Sequence, residues 1–220
     1  MRAYHFLPET WALEALVKQR IKISILNDLN DPFELLNFEI SEQANQTDWQ
    51  KTISIMSKST GVLCFSKDWS NPLLWSHYAD QHKGICLGFD ISEESLEKIE
   101  YRNCPIPYDE IKVIFDGDMY KENPNNEKQE IAMKKILLTK YEGWRYEDEV
   151  RCFASLEDSE DGKYFLDFTV NSSTKLTLKE IILGVRCKIN EKRINDCVQC
   201  EVELIKAGLD SKSFKVVRAK

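Results

Sequence analysis

Apolar residues along this chain first alternate with polar ones, then recur at helical spacing, and that exchange happens several times. Ala3 to Leu7 predicts a short strand, and Pro8 opens a helix through Lys18 with Trp11, Leu13, Leu16 and Val17 on its apolar side. Ile21, Ile23 and Ile25 alternate with Lys22 and Ser24, which predicts a second strand. Asn27 to Pro32 is dense in residues that bond their own backbone, and Pro32 excludes the α conformation from Asp31, so a shaped loop follows. Gln43 to Lys58 reads as helix and Val62 to Ser66 as strand. Asn71-Pro72 starts a helix carrying Leu74, Trp75 and Tyr78. Gly84 to Asp90 is almost continuously apolar, as a strand buried on both faces would be.

In the second half, Ser92 with Glu94 and Glu97 suggests a short capped helix, and Tyr101 to Ile114 an irregular strand pair broken by Pro105 and Pro107. Asn123 to Asn126 interrupts the pattern before a helix from Glu127 to Tyr141. Glu149 to Ser155 alternates as a strand, with Glu149, Arg151 and Phe153 on one face. Tyr164 to Val170 returns as its hairpin partner. Ile181 to Val185 forms a further buried strand, Asn190 to Cys200 a capped helix, and Phe214 to Arg218 a terminal strand.

No repeat or linker divides residues 1–220, so the expected fold is one α+β domain: a mixed, mostly antiparallel sheet flanked by about four to six helices. A 220-residue chain that is 42% apolar can bury one sizeable core, or a core with a subdomain. The formal charge of −7 disfavours nonspecific attraction to nucleic acid or to anionic membranes. No apolar run approaches the roughly 20 residues of a membrane helix, and nothing near Met1 reads as a secretory signal. Seven cysteines, an odd number, suit reduced thiols in a cytoplasmic protein. Cys197 and Cys200 make a CxxC without a second ligand pair, so the expected reading is two thiols on successive turns of a helix rather than a metal site.

Three segments could carry chemistry. Trp144 to Arg151 is the densest mixture of charge and aromatics, placed where a helix hands over to a strand; Glu149 and Arg151 on one strand face lie about 7 Å apart. Such a carboxylate could stabilise a cationic transition state, although an edge ion pair accounts for the same residues. Ser66 to Tyr78 combines a strand end with Trp75, Ser76, His77 and Tyr78, which supply stacking surfaces or simply core. No glycine brackets Ser66 as a nucleophile elbow would require. His5 lies within a short apolar strand, either as a ligand contact or as a backbone-bonded core histidine. There is no GxGxxG and no GxxxxGK, which argues against Rossmann cofactors and P-loop nucleotides.

Taken together, these segments resemble the bacterial family catalogued as domain of unknown function 2971. The matching pieces are Tyr4-His5-Phe6, Leu29 to Glu34, Val62 to Ser66, Leu74 to Ala79 with Lys83 to Asp90, Trp144 to Arg151, and Ile182-Leu183-Gly184. More weakly, a strand-borne His, then a strand-end Ser or helical Tyr, then a strand-borne Glu is similar to the signature of ADP-ribosyltransferases. That resemblance implies a split sheet with NAD as substrate and no metal. It gives His5 a hydrogen bond to the nicotinamide-side ribose or carboxamide, Tyr78 a stacking role, and Glu149, with Glu147 as the competing choice, the oxocarbenium-like state. Tyr4, Ser66, Trp75, Arg151, Asn30 and Asp31 complete the NAD-binding candidates, and Arg2, Lys67, Arg145 or Arg151 would meet the pyrophosphate. The implied role is an ADP-ribosyltransferase or NAD glycohydrolase acting as a toxin or antiviral effector, with a nucleotide and a macromolecular acceptor as partners. The alternative is a non-catalytic binding or sensor module of a bacterial defence or regulatory system.

Overall fold

The computed structural model describes residues 1–40, 43–115, 127–168, 176–198 and 200–219, with the side chains of 43–46 excepted. In chain order the strands are β1 (Arg2–Leu7), β2 (Arg20–Ile25), β3 (Thr60–Ser66), β4 (Ile85–Ile91), β5 (Glu97–Lys98), β6 (Glu100–Arg102), β7 (Thr139–Tyr141), β8 (Glu149–Ser155), β9 (Tyr164–Asp167), β10 (Leu176–Leu183), β11 (Glu203–Leu209) and β12 (Val216–Arg218). The helices are α1 (Glu9–Lys18), α2 (Gln43–Met56), α3 (Pro72–Tyr78), α4 (Tyr108–Ile111), α5 (Glu127–Leu137) and α6 (Glu191–Cys197), joined by short 3-10 turns. The result is an α+β fold around a mixed, mostly antiparallel sheet.

Ten strands form the main sheet in the order β12-β11-β10-β4-β1-β3-β2-β9, with β8 on β3 and β5 on β8. Every residue of β1 pairs with β4, from Arg2 opposite Asp90 to Leu7 opposite Ile85. Toward β3, by contrast, β1 contributes a single register pair, Tyr4 opposite Ser66. The remainder of that β3 edge meets β2, through Ser24 opposite Val62 and Ile25 opposite Gly61. On its other side β3 is zipped to β8 along its whole length. The sheet is therefore continuous except for an opening at the middle of β3, between the ends of β1 and β2.

Two apolar layers hold the sheet. One face packs Ala12, Ala15 and Leu16 of α1 and Ile194 of α6 against Phe65, Leu87, Phe89 and Ile181. The other packs Leu74 and Trp75 of α3 against Phe6, Cys86 and Ile182. Fully burying one such side chain stabilises by about 1.5–3 kcal/mol, which is why these stripes set the register. A separate cluster of Phe38, Trp49, Ile106, Ile111 and Ile136 forms a smaller core.

The helix α3 starts as its sequence suggests: the Asn71 side chain accepts from the Leu73 amide and Pro72 occupies the first turn. It ends at Tyr78 because Asp80, Gln81 and His82 take positive φ angles of 43°, 55° and 70°, which breaks helical propagation. Gly84 closes that turn, where an added Cβ would come within 2.1 Å of the Leu7 carbonyl. His82, in that turn, is half-buried and stacks on Trp75 with ring centroids 6.3 Å apart.

Other elements depart from the pattern reading. Trp11 and Val17 lie outside the buried face of α1, whose buried residues are Ala12, Ala15 and Leu16; small residues bring the helix close to the sheet. Ser92 caps only a 3-10 turn and makes no side-chain capping bond. Residues after Pro107 turn helical, since Ile111 and Ile114 recur at a helical interval and are buried. The helix predicted to Tyr141 stops at Leu137, and Thr139 to Tyr141 instead pairs in parallel with β6. β9 pairs with β2 rather than with β8, whose two edges are occupied by β3 and β5; Val170 lies outside the described residues, as do Asn123 to Asn126. The last helix ends at Cys197, so Cys200 is not on a further turn. The strand β11 was not legible in the pattern.

Candidate functional site

The opening in the sheet is a cavity of about 240 Å³ lined by Tyr4, His5 and Phe6 of β1, Ser24 of β2, Cys64 to Ser66 of β3, the loop residues Asp28, Leu29, Asn30 and Glu34, Leu74 and Tyr78 of α3, and Lys140, Glu147 and Glu149. Its origin is the missing stretch of ladder. Where the Cys64 carbonyl would face a strand, it meets the His5 ring instead, with Nδ1 3.0 Å away. A carbonyl can only accept, so Nδ1 carries the proton and donates. The opposite nitrogen, Nε2, is then a lone-pair acceptor, and it has no protein partner among the described residues. Burial pushes the His5 pKa below its usual value, against a smaller opposing effect of the Cys64 bond, so the ring is neutral at pH 7.

Beneath this acceptor lies a buried cluster of five charges. Glu34, Lys140, Glu147, Glu149 and Arg151 are each 5% exposed or less. Lys140 Nζ donates to Glu147 Oε2 at 2.6 Å and to Glu149 Oε2 at 2.9 Å, and lies 3.1 Å from Glu34 Oε1. Arg151 Nε donates to Glu149 Oε1 at 2.8 Å, Nη1 to the Leu137 carbonyl at 2.7 Å, and Nη2 to Glu34 Oε2. Burying such charges is tolerable only because every one has an opposite partner. Asp148 makes the arrangement possible locally. Its left-handed backbone, φ 42°, ends the 3-10 turn Glu142–Glu147 and starts β8, so the side chains on both sides of it reach the same cavity.

The two glutamates are not equivalent. Burial alone would raise the Glu149 carboxyl, but Arg151 and Lys140 outweigh it and hold the pKa at about 2. For Glu147 burial prevails over Lys140 and Tyr78, and the pKa is raised. Glu149 is thus a permanent anion, and Glu147 is the carboxylate closer to proton exchange. The Tyr78 hydroxyl donates to Glu147 Oε1 and accepts from Asn30 Nδ2 at 3.1 Å. Burial, then the Glu147 charge, drives the Tyr78 pKa upward and keeps the phenol protonated.

Of the residues singled out in the sequence, Tyr4, His5, Asn30, Ser66, Tyr78, Glu147 and Glu149 meet in this one cavity. Three do not line it. Trp75 is fully buried, edge-on to Phe6 at 5.2 Å, with its indole N–H donated to the Trp69 carbonyl. Arg151 sits behind the carboxylates, and Asp31 accepts from the Phe33 amide at 2.9 Å, which shapes the loop. Ser66 Oγ donates to the Asp68 carbonyl at 2.9 Å and so holds the turn after β3. The cations expected to meet a pyrophosphate are all engaged: Arg2 with Asp90 and Glu180, Lys67 with Asp148, Arg145 with Glu142, and Arg151 with Glu149. Sequence reasoning missed Lys140, hidden in the tail of an over-extended helix, and gave Glu34 no chemical part. A lysine three residues past an apolar helix end and just before an acid-rich segment was the available signal for the first.

A family model described as a protein of unknown function, DUF2971, matches residues 74–152. That stretch includes Tyr78, Lys140, Glu147, Glu149 and Arg151, and leaves out β1, β2 and β3. Comparison with curated proteins and with solved structures finds no match. No helix among the described residues is long and apolar enough to cross a membrane, and no group of three or more His, Cys, Asp or Glu among them could hold a metal ion.

Proposed function

We propose that this chain is an NAD-directed enzyme, an ADP-ribosyltransferase or NAD glycohydrolase, whose cavity between β1 and β3 receives the nicotinamide-ribose end of NAD. The observation that carries the reading is the charge of that cavity. Asp28, Glu34, Glu147 and Glu149 face it against Lys140 in the lining and Arg151 behind Glu34 and Glu149, four carboxylates to two cations, so its net field favours a cation. The nicotinamide ring of NAD is cationic, and the sugar becomes an oxocarbenium-like cation as the ring leaves.

In the reaction, the C–N glycosidic bond breaks with its electron pair going to the nicotinamide nitrogen, which discharges the ring. Water or an acceptor nucleophile adds to the sugar carbon and its proton passes to Glu147, the carboxylate with the raised pKa. Glu149, held ionised, stabilises the developing positive charge. His5 Nε2 accepts a hydrogen bond from a ribose hydroxyl or the carboxamide, and the Tyr78 ring forms a wall for the nicotinamide. A cavity of about 240 Å³ is at or below the size range of small-molecule sites, about 300–1,000 Å³, so it suits this end of the dinucleotide and leaves the adenosine diphosphate outside. A nucleotide substrate and a macromolecular acceptor are the partners on this reading, and cellular NAD loss would make the protein a toxin or antiviral effector.

The test is to follow nicotinamide release from labelled NAD, with and without candidate acceptor proteins. Release by the wild type and a loss of about 10²-fold or more in Glu147→Gln is expected. No release by folded wild type across acceptors, or equal release by a folded Glu147→Gln/Glu149→Gln double variant, removes the reading. The second reading, a non-catalytic binding or sensor module, draws on the fact that each oxygen of both glutamates already has a protein donor. It predicts NAD binding without turnover.

A further inference from the structure

On the edge of the sheet, α1 and the β2–β9 pair enclose a second cavity of about 250 Å³ with a floor of Leu7, Ala15 and Ile21. Trp11, 51% exposed, and Phe165 form its aromatic walls, and each ring carries a cation. The Arg20 guanidinium lies 3.7 Å from the Phe165 ring centroid, and the Lys163 ammonium 5.1 Å from that of Trp11. Lys22 completes the lining on the face shared with Arg20 and Phe165.

The charge balance here is opposite to that of the rest of the chain. Lys22 and Lys163 have no carboxylate partner among the described residues. Arg20 Nη1 pairs with Glu160 at 2.5 Å, but its Nε is buried without an acceptor. The one acid in the lining, Glu14, lies 3.2 Å from Lys18. Two exposed lysines without a carboxylate partner beside two aromatic rings, in a protein of net charge −7, make a local positive field next to apolar surface, a combination that attracts a flat anion.

We propose that this cavity is a second ligand site, separate from the one between β1 and β3, for a small planar anion: an aromatic ring bearing a carboxylate or a phosphate. The ring lies beside Trp11 and Phe165, and the anionic group meets Lys22 and Lys163. The site stands whether or not the chain turns over NAD.

Benzoate and phenyl phosphate serve as the two anionic probes and benzyl alcohol as the neutral control, each titrated into the full chain while the Trp11 indole and the Lys163 and Phe165 amides are followed by NMR. Both anions are expected to shift these signals, to bind about tenfold or more tightly than benzyl alcohol, and to weaken with added salt. The Lys22→Glu/Lys163→Glu variant, altered only at exposed positions, should lose about tenfold or more for the anions and nothing for the alcohol. The better of the two anions identifies carboxylate or phosphate as the preferred group. Shifts equal for anion and alcohol, shifts confined to residues around Tyr78, or affinities indifferent to salt on the wild type would overturn the proposal, and the salt and alcohol arms hold even if the variant misfolds.

Discussion

The two seams of β1 differ in almost every respect. Toward β4 it is sealed by a full antiparallel ladder with Leu87 and Phe89 fully buried beneath it. Toward β3 it is held by one register pair and by an imidazole that stands in for the missing strand. The first seam is mainly apolar, with the Arg2–Asp90 ion pair at its end; the second gathers four carboxylates, a lysine and a neutral histidine. Opening a sheet exposes backbone acceptors, and satisfying them with side chains brings polar chemistry into the centre of a fold.

The largest effect that separates the seams comes from the charges under the open one. Arg151→Met leaves Glu34, Glu147 and Glu149 to share Lys140 as their one buried cation and should cost about 3–5 kcal/mol in urea unfolding, and a neutral result would mean the cluster contributes little. On the closed seam, Leu87→Ala should cost about 2–5 kcal/mol through lost contacts and a cavity, with no effect on ligand binding between β1 and β3. His5→Ala on the open seam should cost less, about 1–2 kcal/mol, because only the Cys64 carbonyl is stranded.

Acid should also act mainly on the open seam. The Glu149 pKa of about 2 lies below its ordinary value of 4.5, so its stabilisation is present above pH 4.5 and is lost as pH falls through about 2. The His5 pKa lies below its ordinary 6.5, so its contribution is present above pH 6.5 and is lost as pH falls toward the folded value. A stability profile should therefore decline in two stages, and His5→Gln should remove the upper one. Glu147 has the opposite sign, since its raised pKa means that ionisation opposes folding as pH rises. The smallest effect follows: because Lys140 keeps Glu34 and Glu149 and Tyr78 can still donate to the amide oxygen, Glu147→Gln should change stability by no more than about 1 kcal/mol at pH 7, even where it slows turnover.

Much of this fold was legible because its strongest signals are local. The alternation in Arg20–Ile25 and Glu149–Ser155, the apolar run of Ile85–Ile91 and the Asn71-Pro72 start of α3 each reflect a period or a cap that short-range physics sets. What failed depends on distant partners. Nothing in Tyr164–Asp167 says that it pairs with a strand some 140 residues earlier, and Thr139–Tyr141 becomes a strand only because Glu100–Arg102 lies beside it. The site was half legible on the same terms. His5 stands out as a polar group in an apolar strand, and Tyr78, Glu147 and Glu149 lie in segments dense in aromatics and polar groups, whereas Lys140 and Glu34 acquire meaning only through the three-dimensional ion cluster.

The most direct measurement is a nitrogen-15 NMR titration of the His5 ring with nicotinamide riboside, which carries the cationic ring without the pyrophosphate. The free protein should show Nδ1 protonated and Nε2 bare, and the ligand should shift Nε2 at His5 while neutral nicotinamide binds more weakly. A His5 ring protonated on Nε2 in the free protein, or a ligand that leaves His5 unperturbed, would contradict the assignment of the open seam as the NAD site.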